Sequence, residues 1–176
     1  MNADFSRVEV ISSEEITKAM SEFGRLLENL KTGRISLKEV YSEKNRLFSH
    51  IFSCSLTSDN IGGLRELIDG LSNKFRIHYS EQKITSALQH ENAHASAAKL
   101  WAQNHGLQLD VKYGVCVTCD DLFEGVNINA FTDFPNIESV ITSATQYVSL
   151  YEHITNNSEL SKIDLELYKN LLPLKY

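Results

Sequence analysis

Two histidines and a glutamate, His90, Glu91 and His94, stand in the chain at a spacing that suits metal-assisted hydrolysis. On a helix, side chains four residues apart project from the same face, so both imidazoles can reach one ion. Glu91 points to the adjoining face, from which its carboxylate reaches a water molecule beside the ion. A hydrolytic zinc site needs three protein ligands, one open position and a base for that water. The motif therefore predicts two ligands and the base.

The residues that flank this HExxH motif are uncharged, so no fixed ion competes with a metal there: Leu88, Gln89, Asn92, Ala93, Ala95 and Ser96. The segment Leu88–Ala95 resembles the zincin superfamily of metallopeptidases, and the resemblance covers about residues 74–106. It implies a zinc ion held by His90 and His94, with Glu91 as the general base. It also implies a third ligand further along the chain.

The third ligand does not follow the motif directly, because residues 97–100 lack the glycine and histidine of the extended zincin pattern. His105 stands eleven residues after His94, which is ~16 Å along a continuous helix and too far for one ion. Resemblance to the glutamate-type zincins implies a ligand from a later helix, and Glu138 is our candidate. Three further acidic residues remain alternatives: Asp133, Glu124 and Asp110.

Cysteines offer a second grouping. Cys116 and Cys119 form a CxxC pair, and His50 and Cys54 stand one helical turn apart, so the four could make a structural zinc site. However, residues 115–119 have the pattern of a strand, where side chains three apart face opposite sides. Partly buried free thiols are therefore the favoured interpretation. Three cysteines do not indicate a disulfide framework.

The motif must lie on a helix, and the surrounding sequence predicts one from about Ser80 to His105, ended by Gly106. Residues 74–79 alternate apolar and polar side chains, which predicts a short strand directly before it. A strand there would give an extended peptide an edge to pair with. Upstream, amphipathic periodicity predicts three helices, which begin after these residues: Ser12, Ser36 and Asn60.

Downstream of the motif helix, residues 107–118 and 126–131 alternate apolar and polar side chains and predict an antiparallel pair. Helices are predicted over 136–154 and 158–171. These elements give an α+β fold. We expect a single domain over 1–176, with a helical N-terminal region at 1–73 and a zincin-like catalytic region at 74–176.

The composition and net charge argue against several classes of function. The chain has 176 residues, 42% of them hydrophobic and 23% charged, which suits one globular domain. A formal net charge of −6 argues against a nucleic-acid partner. No run of about 18 apolar residues predicts a membrane span, and the first ten residues lack the pattern of a secretory signal. We therefore expect a cytoplasmic protein.

Two hypotheses of function follow. The first is a zinc metallopeptidase that acts on a peptide or protein substrate. The alternative is a non-catalytic α+β interaction or regulatory protein in which HExxH is vestigial or fortuitous, or in which zinc is held without turnover. In either case, the amphipathic N-terminal helices are a candidate surface for protein partners or self-association.

Overall fold

A computed structural model describes residues 3–120 and 123–169, with the backbone alone at 123 and 124. In these ranges the regular elements, in chain order after a short 3₁₀ turn at Phe5–Arg7, are β1 (Val10–Ser12), α1 (Ser13–Lys31), α2 (Leu37–Ser53), β2 (Leu56–Ser58), α3 (Ile61–Phe75), α4 (Glu81–Asn104), β3 (Lys112–Asp120), β4 (Phe123–Asp133), α5 (Ile137–Val140), α6 (Ala144–Asn157) and α7 (Lys162–Tyr168). The predicted α+β class is confirmed.

Serine side chains begin several of the helices. Ser36 accepts a hydrogen bond from the backbone N–H of Glu39, whose carboxylate accepts one from the backbone N–H of Ser36, a complete capping box. Ser80 begins the motif helix α4 by accepting from the N–H of Lys83. This helix ends just before Gly106, which has a φ of +66° that favours glycine. The predicted bounds of the motif helix are therefore confirmed.

The sheet is organised around β3. β4 pairs with it antiparallel along its length, from Lys112 opposite Asp133 to Cys119 opposite Val126. The other edge of β3 carries two short strands in succession. β2 pairs antiparallel with residues 113–115, and β1 pairs parallel with residues 117–119. The predicted antiparallel pair is confirmed, but its first strand begins at Lys112, and residues 107–111, predicted as part of it, have no regular structure. The N-terminal region, predicted to be helical, also contributes two strands.

Two predicted elements differ in the structure. The strand predicted at residues 74–79 is wrong, because α3 continues through Phe75 and ends at Arg76, whose φ of +56° reverses the backbone. Residues 77–80 then follow without regular structure. The helix predicted over 136–154 is two helices, α5 and α6, separated at residues 141–143. The last helix begins at Lys162, and its predicted end at Leu171 lies outside the described residues.

Apolar side chains pack against both faces of β3. Tyr113, Val115 and Val117 face a cluster with α3 and the first half of α4. Cys116 faces the opposite way, into a larger cluster formed with α1, α2, α6 and the second half of α4. The motif helix thus contributes to both clusters, which fixes its position over the sheet. Within the described ranges, no helix combines the length and the apolarity that crossing a lipid bilayer requires.

Candidate metal centre

The motif side chains project from the middle of α4, where the helix packs against β4 and α6. Glu91 and His94 are each 7% exposed, whereas the His90 side chain is partly exposed. One helical turn separates the two histidines, as expected for residues four apart. Their Nε2 atoms lie 2.9 Å from each other. The structure therefore brings both imidazoles to one point.

An acidic side chain from α7 closes a triangle with the two histidines. Asp164 Oδ2 lies 3.0 Å from His90 Nε2 and 3.4 Å from His94 Nε2. Asp164 stands in the first turn of α7, in a capping box with Ser161 whose backbone N–H donates to the same oxygen. The helix is held against α1, where Gly24 has no side chain and leaves room for the carbonyl oxygen of Leu167.

These three atoms fit the requirements of a zinc ion. Nitrogen and oxygen ligands at about 2.0–2.1 Å in tetrahedral geometry lie about 3.3–3.4 Å from one another. The observed separations of 2.9, 3.0 and 3.4 Å are at or slightly below that value. In addition, two imidazole nitrogens at hydrogen-bond distance must share a proton, and a cation can replace that proton. Two histidines and one aspartate are a suitable donor set for zinc.

Ser158 fixes the tautomer of the buried histidine. Its Oγ donates to the carbonyl oxygen of Ile154 at 2.5 Å and lies 3.2 Å from His94 Nδ1. Because the hydroxyl hydrogen is used toward Ile154, the Oγ accepts at His94 and the proton of the neutral ring is placed on Nδ1. The Nε2 lone pair then faces His90 and Asp164. Metal-binding histidines are commonly oriented in this way.

The glutamate of the motif lies beside the triangle rather than in it. Glu91 Oε1 is 4.0 Å from His90 Nε2, and Oε2 accepts a hydrogen bond of 2.7 Å from the Thr132 hydroxyl on β4. Burial raises the pKa of Glu91 above its ordinary value, opposed by the Thr132 hydrogen bond and the two histidines. A carboxyl group with a raised pKa, anchored through one oxygen, is suited to accept and return a proton.

Charge in the triangle is strongly coupled. The hydrogen bond with Asp164 raises the pKa of His90, against the opposing effect of burial. Burial also raises the pKa of Asp164, but hydrogen bonds, chiefly the one from His90 and including the one from the Ser161 backbone N–H, outweigh it, so the net pKa is well below the usual range. Asp164 is therefore ionised at neutral pH and supplies the negative charge that a divalent cation requires.

A cavity of about 580 Å³ opens onto these groups. His90, Glu91, His94 and Asp164 lie along it. Most of its other walls are apolar and come from both ends of the chain, including Met20, Phe23, Phe48, Phe52, Phe131 and Leu167. The N-terminal helices α1 and α2 thus line the same cavity as the motif. Polar groups at one side of a largely apolar cavity are typical of a ligand-binding site.

The structure does not bring Glu138 to the histidines. Glu138 stands on α5, where its Oε1 accepts a hydrogen bond from Asn45 Nδ2 of α2. The acidic residue that joins the two histidines is Asp164 instead. Among the alternatives, Asp133 lines the cavity without joining the cluster, Asp110 is exposed, and the side chain of Glu124 lies outside the described residues.

The four residues considered as a structural zinc set do not come together, and all three cysteines are free thiols, as the sequence favoured. Cys116 is buried on β3, and burial together with the neighbouring Cys54 raises its pKa to about 12. Cys119 is partly buried near the end of the same strand. Neither belongs to the two groups of three metal-binding side chains found among the described residues. His50 and Cys54, in contrast, do belong to one of them, together with Glu9.

Sequence reasoning missed three residues of this centre: Asp164, Ser158 and Thr132. The capping-box spacing of Ser161 and Asp164 was a local sign that α7 begins there. Nothing local indicates that this helix turn meets a motif more than seventy positions earlier. The searches for similar proteins returned no matching family model, curated protein or solved structure, so the centre is interpreted from its own geometry.

Proposed function

We propose that this protein is a zinc-dependent hydrolase that cleaves peptide bonds, with His90, His94 and Asp164 as zinc ligands and Glu91 as general base. One observation carries the proposal. Three donor atoms converge within 3.4 Å of one another, and a buried carboxylate lies 4.0 Å from one of them at the wall of a cavity. The resemblance of the motif to the zincins supports the same assignment.

Bound zinc supplies Lewis acidity, which polarises a carbonyl group and lowers the pKa of water. The chain supplies the rest. Glu91 accepts a proton from the attacking water and returns it to the departing amine, and Thr132 restrains Oε2 so that Oε1 faces the reaction. Ser158 keeps His94 in the orientation that presents Nε2. Asp164 offsets positive charge at the centre with its carboxylate.

The cavity indicates which side chains a peptide substrate would carry. Its apolar walls favour a substrate with a large aliphatic or aromatic side chain near the scissile bond, because burial of such a side chain contributes about 1.5–3 kcal/mol. Phe23 of α1 and Phe48 of α2 form part of that wall. We therefore assign the N-terminal helices a role in substrate binding, in place of the docking role that the sequence suggested.

The first test is the zinc content of the purified protein. We expect His90→Ala and His94→Ala each to lose one equivalent of zinc, and His78→Ala, which changes an exposed histidine outside the cluster, to lose none. A parent protein that binds no zinc at this centre contradicts the proposal and favours the non-catalytic interaction protein.

The second test separates turnover from binding. Peptides that carry large apolar residues are incubated with the zinc-loaded protein, and cleavage is followed by mass spectrometry. Glu91→Gln is expected to retain zinc and to lose turnover by about 10²–10⁴-fold, the usual contribution of a general base. An active Glu91→Gln protein refutes the role of Glu91. Zinc binding with no cleavage of any peptide refutes the hydrolase and identifies a zinc-binding regulator.

A further inference from the structure

A second group of metal-binding side chains lies at the C-terminal end of α2, apart from the HExxH centre. His50 and Cys54 stand one turn apart there, and His50 Nε2 lies 3.6 Å from Cys54 Sγ. A carboxylate oxygen of Glu9, from the segment before β1, completes a set whose ligand atoms all lie within 4.8 Å of one another. Cys54 is buried, and Glu9 and His50 are exposed.

The spacing of this pair matches zinc coordination. With a Zn–N distance of about 2.0–2.1 Å and a Zn–S distance of about 2.3 Å, tetrahedral geometry places nitrogen and sulfur about 3.6 Å apart. The observed separation is the same, 3.6 Å. His50 stands in the last turn of α2 and Cys54 caps that helix, so an ion can bind between the two side chains without movement of the helix.

A second carboxylate orients the histidine. Glu15 Oε1 on α1 lies 2.6 Å from His50 Nδ1. When Nδ1 donates to this carboxylate, the Nε2 lone pair is directed toward Cys54, on the opposite side of the ring. A carboxylate behind a histidine ligand is a common feature of zinc sites, where it holds the ring and increases its basicity. Four side chains from three segments of the chain are therefore positioned as a single zinc site requires.

We propose that Glu9, His50 and Cys54 form a second zinc site, in which Glu15 positions His50. Imidazole, thiolate and carboxylate together suit zinc. Because Glu9 and His50 are exposed, the fourth position is open to water. The ion fixes the segment before β1 to the end of α2 and so closes a long loop of chain. Its expected role is to stabilise the N-terminal segment, and it does not depend on the hydrolase.

Cobalt(II) distinguishes this site from the HExxH centre, because only a thiolate ligand gives sulfur-to-cobalt charge-transfer absorption in the near ultraviolet. Metal-free protein is titrated with Co²⁺, and zinc is then added to displace it. We expect the absorption in the parent and in His90→Ala, and its loss in Cys54→Ser. Cys119→Ser is the matched control, since Cys119 lies outside the group, and it should keep the absorption.

Two exposed variants test the site without altering a buried thiol. Glu9→Gln and His50→Ala are expected to weaken cobalt binding at least tenfold and to reduce the zinc-induced rise in melting temperature. Absence of the charge-transfer absorption in the parent overturns the proposal, as does its persistence in Cys54→Ser. Unchanged affinity in both exposed variants overturns it as well. None of these results changes the prediction that His90→Ala loses one equivalent of zinc, so the two sites are tested separately.

Discussion

Asp164→Asn is the substitution that tests the HExxH centre most directly. Asparagine has nearly the same shape as aspartate, and its side-chain oxygen can still accept the hydrogen bond that the Ser161 N–H donates. The capping of α7 is therefore retained. What disappears is the only negative charge among the three converging donors. The change removes a ligand while it leaves the helix that carries it.

The expected loss of zinc-induced stabilisation in Asp164→Asn follows from mass action. Outer partners of metal ligands alone change affinity about 10–100-fold, so loss of the anionic ligand itself should weaken zinc binding at least about 100-fold. At a zinc concentration of 100 times the parent dissociation constant, the ion stabilises the parent by about 2.7 kcal/mol and the variant by about 0.4 kcal/mol. For a chain of this size that difference corresponds to about 5–9 °C in the zinc-induced shift of the melting temperature.

The assay is thermal unfolding followed by circular dichroism, with and without zinc. It is performed in a Cys54→Ser background so that the second site does not contribute. Each variant is compared with its own metal-free form, so any change in intrinsic stability cancels. Glu138→Gln is the control, because the sequence suggested that residue as a ligand and the structure places it against Asn45 on α2. Its zinc-induced shift should equal that of the parent.

An Asp164→Asn protein with an undiminished zinc-induced shift would show that Asp164 is not a ligand. A smaller shift in Glu138→Gln would show instead that α5 approaches the histidines in solution. Either result would refute the reasoning from the three converging atoms, since that geometry assigns the ligand role to one carboxylate and denies it to the other.

Three further predictions concern the surroundings of the centre and the core. Ser158→Ala removes the oxygen that orients His94 and should weaken zinc binding about 10–100-fold in competition with a chelator; equal affinity would deny it that role. Gly24→Ala places a methyl group against the backbone carbonyl of Leu167 and should cost about 1–3 kcal/mol in chemical denaturation while weakening zinc binding through α7. Gly125→Ala, where the methyl group meets open space, should change neither, and equal effects would contradict the packing of α7 on α1. Leu27→Ala, at a fully buried position, should cost about 2–5 kcal/mol in the same assay. Leu100→Ala, at a position 51% exposed, should cost no more than about 0.5 kcal/mol; similar values for the two leucines would contradict the assigned core.

Local patterns predicted the elements that carry their own signals. The motif helix α4 is long and has Ser80 at its start and Gly106 after its end. In β4, residues 126–130 alternate apolar and polar side chains, and this strand pairs with β3 over most of its length. By contrast, β1 and β2 are three residues each, which is too short for any alternation to be recognised. Their pairing depends on the edge of β3, which other parts of the chain create.

Two differences between the prediction and the structure involve contacts that sequence spacing does not reveal. Residues 74–79 alternate apolar and polar side chains, as a strand does, but a strand also requires a neighbouring strand edge. Here the nearby backbone N–H of Ile128 donates to the side-chain hydroxyl of Tyr79 and not to its backbone. Glu138 was expected on a helix continuing to residue 154, yet α5 is a single turn, and the Tyr41 hydroxyl donates to the carbonyl oxygen of Ile141 just after it. In the structure Glu138 Oε1 accepts a hydrogen bond from Asn45 Nδ2 of α2.

The position of Asp164 also determines when the centre can form during protein synthesis. Asp164 follows His90 by 74 positions, and a ribosome that adds about 5–20 residues per second needs about 4–15 s to bridge them. The two histidines are therefore in the chain for about that time before the carboxylate that completes the proposed ligand set. The proposed peptidase would therefore have its full ligand set only after Asp164 has been added and α7 has packed against α1. Under the proposed function, the segments made earlier would not be cleaved by the chain's own centre before that point.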